Sequence, residues 1–243
     1  MDGEVGLHRL LARLERHAAL EQPDRDALLS LRVDQRRYEP GSYFVREGAP
    51  AVRCTLLVNG FAFRQKLTEE GARQIVSIHI PGDFVDFEAA FLKVADHSIQ
   101  ALTVCEVAEI PSWQVLAMIE QHPRLGHALW VHALIDSSIF REWVLNVGRR
   151  PARQRIAHIL CEMAKRLKLA GLGDETGFRF PMTQEQLADA AGLTPVHVNR
   201  CLKSLERDGL IRRERRNLKI PDWERLRDEA GFNELYLHLD QAA

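Results

Sequence analysis

The residues best equipped for chemistry lie in MTQEQLADAAGLTPVHVNRCLKSLERDGLIRRERRNLKI, residues 182–220 of this 243-residue chain. Val196, Asn199, Arg200 and Lys203 recur at i, i+3, i+4 and i+7, so on a helix they share one face. An arginine binds guanine O6 and N7 with two hydrogen bonds, an asparagine does the same with adenine N6 and N7, and a valine packs on a thymine methyl. Lys203 adds an ammonium, and His197 lies in the same first turn, within reach of a base edge or phosphate. The chemistry on offer is non-covalent reading of base pairs.

Such a face needs elements to hold it. Thr183 with Gln186 three residues on is a capping box that starts one helix, with Gln184 in its first turn. Ala191-Gly192-Leu193 makes a tight break. Thr194 then caps a second helix, with Pro195 at its first position, and Gly209 stops it after about Asp208. Val198, Cys201, Leu202 and Leu205 form a separate apolar stripe, so the second helix is buried on one side and open on the other. Two helices joined by a three-residue, glycine-containing turn make a helix-turn-helix. Arg212, Arg213, Arg215 and Arg216 follow between Leu210-Ile211 and Leu218-Lys219-Ile220, which reads as a β-hairpin wing with a phosphate-touching tip. The plainer alternative is a helical hairpin with a solvated polar face.

Charge supports the first reading. Residues 1–148 carry 15 Lys/Arg and 20 Asp/Glu, residues 149–220 carry 16 and 8, and residues 221–243 carry 2 and 6. A basic module therefore sits between two acidic parts inside a chain of net charge −1, and a basic field attracts polyanions, nucleic acid above all. A hydrophobic content of 46% with 28% charged residues fits a globular chain of one or two domains. No run reaches the ~20 apolar residues of a membrane span, and acids and arginines interrupt the N-terminal apolar residues, unlike a signal peptide. A cytoplasmic protein with no membrane partner is expected.

Upstream, residues 4–20 read as a helix, and a second follows near Asp24–Leu31. Glycines at 41, 48, 60, 71 and 82 separate short β-rich runs, which predicts a β-sandwich or barrel over about 36–110. Ser112–Gln121 reads as a short helix, and Pro123 starts another with no breaker before Gly148. That helix carries Leu125, Leu129, Val131, Leu134, Ile135, Ile139, Trp143, Val144 and Leu145, apolar on more than one side, so it needs two neighbours, and Leu125, Leu129, His132, Ile135, Ile139 and Trp143 are expected at a dimer interface. A second copy of the chain could be one neighbour, in which case Ile139→Glu should break the dimer. Cys54, Cys105, Cys161 and Cys201 are far apart and form no CxxC pair, which favours small core residues.

Tyr38-Glu-Pro-Gly41, Gly48, Gly60, Pro81-Gly-Asp83-Phe84, the 182–220 module and the order of segments together resemble the CRP/FNR superfamily of bacterial transcription regulators along nearly the whole chain. The resemblance implies an α+β fold. Residues 1–121 would be a jelly-roll, cyclic-nucleotide-binding-like sensor, 122–147 a dimerisation helix, 148–221 a winged helix-turn-helix, and 222–243 an acidic helical tail. It implies a homodimer on pseudo-palindromic double-stranded DNA, with RNA polymerase as a further partner. Thr183, Gln184, Thr194, Pro195, Val196, His197, Asn199, Arg200, Lys203, Arg212, Arg215 and Arg216 would face DNA. Many members carry Glu where this chain has Val196, so the half-site is expected to keep the guanine read by Arg200 and to lose one cytosine preference.

The sensor departs from the family pattern. Members that bind cyclic AMP have Gly-Glu after the PGDF-like turn and Arg-Ser about ten residues later. Here Asp86-Phe87 and His97-Ser98 stand there, with Glu88 next in line. Phe87 cannot accept a ribose hydrogen bond, and His97 lacks the guanidinium fork that suits phosphate. The pocket of Asp86, Phe87, Glu88, His97 and Ser98 is therefore expected to take an effector other than cyclic AMP. A regulator responsive to cyclic AMP, cyclic GMP or cyclic di-GMP is the alternative, and a cupin-like metal enzyme a remote one. No enzyme activity and no metal are expected, because the β-domain has only His79 and His97 and no HxH. No cysteine precedes Cys54, which argues against an iron–sulfur cluster. Haem stays open, since ten histidines are present, and no other cofactor is expected.

Overall fold

A computed structural model describes residues 2–239. The described chain divides into two compact units, one of residues 2–65, 78–139 and 237–239, the other of residues 66–77 and 140–236.

The first unit is built on two antiparallel sheets. One has the order β1 (Asp34–Tyr38), β7 (Cys105–Pro111), β3 (Arg53–Asn59). The other has the order β2 (Tyr43–Val45), β6 (Ser98–Ala101), β4 (Ala62–Leu67), and β5 (Arg73–His79) begins in the segment 66–77 grouped with the second unit. Strand β3 explains the layering: alternate side chains point to opposite faces. Cys54, Leu56 and Val58 enter one apolar cluster, and Leu57 enters another with Ala62, Val85, Ile99, Ala101, Cys105 and Val107. The first cluster is covered by helix α1 (Asp2–Leu14) through Leu7, Leu10, Leu11 and Leu14. The helix expected over 4–20 ends early, and a turn brings Leu20 back into the same cluster. Helix α2 (Gln22–Leu29) follows, with Asp24 closing a capping box on Glu21.

Gly60 (φ +88°) turns β3 into β4, where a Cβ would lie 2.2 Å from the Val104 carbonyl oxygen, so no other residue fits. The Pro81–Phe84 turn is fixed by Asp83, whose Oδ2 accepts from the Ile80 amide at 3.0 Å and whose carboxylate also pairs with Arg13. A 3₁₀ turn, Phe87–Ala90, leads toward β6. Helix α3 (Ser112–Gln121) leaves β7, and α4 (Pro123–Arg149) begins on its proline.

At 27 residues, α4 is about 40 Å long. Leu125 and Leu129 are buried in the α1 cluster, and His132, Ile135, Ile139 and Trp143 are also buried within the single chain. The six residues assigned from sequence to a dimer interface thus face the chain's own core. The open face is instead His127, Trp130, Leu134, Ser137, Arg141, Val144 and Gly148.

The second unit centres on α5 (Ala152–Leu169), whose Ile156, Leu160, Cys161, Ala164 and Leu167 are fully buried. Against it pack α7 (Pro195–Arg207) and α8 (Trp223–Ala230). Helix α6 (Gln184–Ala191) packs on α7, and β8 (Gly177–Arg179), β10 (Asn217–Lys219) and β9 (Arg212–Glu214) form a three-stranded sheet in that order. Glu162, buried on α5, accepts from Trp143 Nε1 at 3.1 Å and from the Tyr236 hydroxyl at 2.9 Å, with Arg166 beside it. Arg153 ties α5 to Asp208 at the end of α7 (2.6 Å) and to Glu229 of α8 (2.8 Å). Residues 223–230 are therefore a packed part of this unit, and residues 240–243 of the expected tail lie outside the described residues. Among the described residues no helix is long and apolar enough to cross a membrane.

Candidate DNA-reading surface and sensor pocket

Both helices of the expected helix-turn-helix start as their sequence dictates. The Thr183 hydroxyl accepts from the Gln186 amide at 3.2 Å, and the Gln186 side chain accepts from the Thr183 amide at 2.9 Å. Gly192 takes the left-handed conformation (φ +62°) that ends α6. Arg155 holds this end by donating to the Ala191 carbonyl at 2.9 Å. Thr194 caps α7 by accepting from the His197 amide at 3.3 Å, ahead of Pro195. Such a cap contributes about 1 kcal/mol and fixes where the first turn points.

Helix α7 has the two faces expected. Val198, Cys201, Leu202 and Leu205 are buried, while Val196, His197, Arg200 and Lys203 are exposed and Asn199 is half-buried. Val196 is 70% exposed, a large apolar side chain at the front of a helix with nothing among the described residues to cover it. Arg200 and Lys203 make no ion pair or hydrogen bond within the described chain. Thr183 and Gln184 are exposed at the start of α6. The wing is a two-residue hairpin with Arg215 and Arg216 at its tip and Glu214 opposite Asn217. Arg215 has φ +58°, a conformation costly for any residue but glycine. The Arg216 carbonyl accepts from the Phe180 amide at 2.8 Å, which ties the tip to the body. Arg212, Arg215 and Arg216 stay exposed, whereas Arg213 pairs with Glu206 of α7 at 2.6 Å. The four wing arginines thus divide into three open cations and one brace.

In the first unit, Asp86, Glu88 and His97 converge. His97 Nε2 lies 3.6 Å from Glu88 Oε1 and 4.0 Å from Asp86 Oδ1. Arg64, absent from the sequence-based set, joins them: its guanidinium pairs with Glu88 and donates to the Val85 carbonyl, both at 2.7 Å. Strand alternation carried the clue, because Arg64 sits two residues from buried Ala62 and opposite buried Ile99, on a core-facing side. Burial, with the Glu88 charge second, pushes the Asp86 carboxyl up to about 7, so it is half neutral at neutral pH. Burial and then Arg64 pull His97 below its ordinary value.

One member of the expected pocket lies elsewhere, and another has a partner outside it. Phe87 is in the hydrophobic core, its ring 5.8 Å from Phe84 and 5.4 Å from Phe91. The 3₁₀ turn rotates Phe87 inward and brings Glu88 into the pocket instead, the one-residue slip that an ungapped alignment misses. The Ser98 hydroxyl is taken by the Glu47 amide at 3.0 Å. The cysteines are all buried. Burial pushes Cys105 up to about 11 and raises the Cys54, Cys161 and Cys201 thiols too, so none is primed as a thiolate.

Residues 35–122 match the cyclic nucleotide-binding domain family, and residues 154–229 match the Crp-like helix-turn-helix domain family. The transcriptional activator protein FnrL of Cereibacter sphaeroides is 32% identical over 201 residues, 81% of this chain and 80% of its own length. The transcriptional activatory protein AadR of Rhodopseudomonas palustris is 31% identical, covering 82% and 80%. The solved structure of FixK2 from Bradyrhizobium japonicum superposes with a TM-score of 0.75 at 24% identity, over 82% of this chain and 97% of that one. The chain belongs to the CRP/FNR superfamily: it is a DNA-binding transcription regulator that joins a cyclic-nucleotide-binding-like sensor to a winged helix-turn-helix.

Proposed function

We propose that the chain acts in the cytoplasm as a homodimer that reads a pseudo-palindromic operator through α7 of each copy. The observation that carries this reading is the open face of α7: Val196, Arg200 and Lys203 are exposed, unpartnered within the chain and held by a capped, buried scaffold. Arg200 reads a guanine with two hydrogen bonds, Asn199 and Val196 present an adenine reader and a methyl contact, and Arg212, Arg215 and Arg216 meet phosphates.

The dimer is carried by α4. Its open residues follow at spacings of three, four, three, four, three and four, from His127 through Trp130, Leu134, Ser137, Arg141 and Val144 to Gly148. That 3.5-residue period is a coiled-coil seam, and Leu134 (63% exposed) and Val144 (69% exposed) are apolar positions in need of a partner. A two-fold dimer presents two α7 helices to half-sites about one helical turn, ~34 Å, apart. RNA polymerase is the downstream partner implied by membership of the family.

The group of Arg64, Asp86, Glu88 and His97 is the effector site, and its effector is not cyclic AMP. A cyclic phosphate would meet three carboxyl or imidazole groups and an arginine already paired with Glu88. Selection of bound DNA from a random pool tests the main reading. It should return a palindrome with a guanine fixed in each half-site, and recovery of no common sequence would refute it. Calorimetry with cyclic AMP, cyclic GMP and cyclic di-GMP should show no heat at micromolar ligand. Heat from any of the three would restore a nucleotide pocket.

A further inference from the structure

We propose that Asp86, Glu88 and His97 bind one divalent first-row transition ion, in the range from Mn²⁺ to Zn²⁺, so that the altered nucleotide pocket senses a metal. This rests on reading the pocket as the effector site and names its ligand class. The three residues each offer one ligand atom, all within 4.8 Å of one another. Around a tetrahedral ion with bonds of about 2.1 Å, ligand atoms stand about 3.4 Å apart, so the 3.6 and 4.0 Å separations need only a small contraction.

The histidine supplies the independent sign. Its side chain is only 5% exposed, and Nε2 has no hydrogen-bond partner although it faces two carboxylates. Nδ1 lies 2.7 Å from Asp96 Oδ1. A carboxylate only accepts, so Nδ1 carries a proton, and in the neutral ring Nε2 presents a lone pair to Glu88 and Asp86. Arg64 already pairs with this Glu88 oxygen, whereas His97 Nε2 and Asp86 Oδ1, in side chains 5% and 4% exposed, face each other as two buried electron-rich atoms that a cation would relieve. A histidine whose second nitrogen donates to a carboxylate is the usual arrangement at a bound metal, because it fixes the ring and raises its basicity.

The charges agree. With Asp86 ionised by the bound cation, Asp86, Glu88 and Asp96 bring three negative charges against one positive charge on Arg64, the deficit that one divalent ion fills. One imidazole with two carboxylates suits this part of the first row, where the nitrogen favours a transition ion over Mg²⁺ or Ca²⁺. No spacing motif announces the site, because its ligands come from two separate segments of the chain.

The full-length chain, stripped with chelator, should be titrated with Zn²⁺ alone by calorimetry and with Co²⁺ by visible absorption. Wild type should take up one ion per chain. His97→Ala and Asp86→Asn should each weaken uptake by about 100-fold or more and abolish the Co²⁺ bands, and Asp96→Asn should weaken it by about 10–100-fold. Exposed His8→Gln should leave uptake unchanged. Asp86→Asn preserves size, and a melting curve confirms that it folds. The proposal is overturned if wild type takes up no ion, or if uptake survives both His97→Ala and Asp86→Asn. DNA binding by the stripped protein separates the two readings. A chain that selects DNA but ignores Zn²⁺ loses only the metal site, and one that takes Zn²⁺ at these residues but never selects DNA loses only the operator.

Discussion

Arg200 and Arg215 are both exposed cations, and the proposed DNA contact gives them different work. Arg200 projects from the first turns of a capped helix, where a guanidinium can meet a base edge squarely. Arg215 is at a hairpin tip in a left-handed conformation, where only its charge reaches out. Arg200→Ala should cost about 1–3 kcal/mol on the selected operator, little on random DNA, and relax the preference at one base pair. Arg215→Ala should weaken all DNA alike and lower the salt slope by about 1, the share of a single phosphate. Equal losses on operator and random DNA for both variants would contradict that division. The thiols make a second residue-scale prediction. With Cys105 raised to about 11 by burial and the other three raised too, thiolate is scarce at pH 8. A disulfide reagent should therefore react slowly with the native chain and with all four thiols after denaturation. One fast thiol in the native chain would point to a redox switch.

Helix α4 shows where sequence and structure part. Its length and start were legible, since Pro123 opens it and no breaker follows until Gly148. Its partner face was not, because a helix apolar on several sides does not say which side its own chain covers. Leu125 and Leu129 fill the α1 cluster, so the proposed seam falls to exposed Trp130, Leu134 and Val144. Ile139→Glu, at 6% exposure, should therefore unfold the chain, and Leu134→Glu should give a folded monomer with weakened operator binding. Sedimentation with a melting curve checks both, and a stable dimer of Leu134→Glu would refute the seam. The helix-turn-helix was legible down to its caps, because capping box, turn glycine and stripe are all local signals. The pocket was half legible. Asp86, Glu88 and His97 were in the expected set, while Arg64 lies on another strand and the 3₁₀ turn puts Phe87 in the core.

Across the whole molecule, charge and packing serve one output. The second unit braces α7 through Arg153, Asp208 and Glu229, and holds α5 to the last turns of α4 through Glu142. Glu142 lies 3.2 Å from His158 Nε2 and accepts from Arg150 at 2.5 Å. His158, then Arg150, hold its carboxyl below the usual range. A carboxyl depressed on folding stabilises above its unfolded pKa near 4.5 and loses that contribution as pH falls through its folded value. Glu142→Gln should thus cost about 1–3 kcal/mol at pH 7 and less toward pH 4, as read from denaturant midpoints. A loss independent of pH would contradict the assignment. The proposed reading of DNA sequence by a dimer through α7 is tested most directly by fluorescence anisotropy at ~150 mM salt. The purified chain, stripped or Zn²⁺-loaded, is titrated onto a selected palindrome and onto random duplex. In at least one of the two states the palindrome should bind at least ~10³-fold more tightly than random duplex, with two chains per duplex. Equal binding to both duplexes in both states would contradict the account.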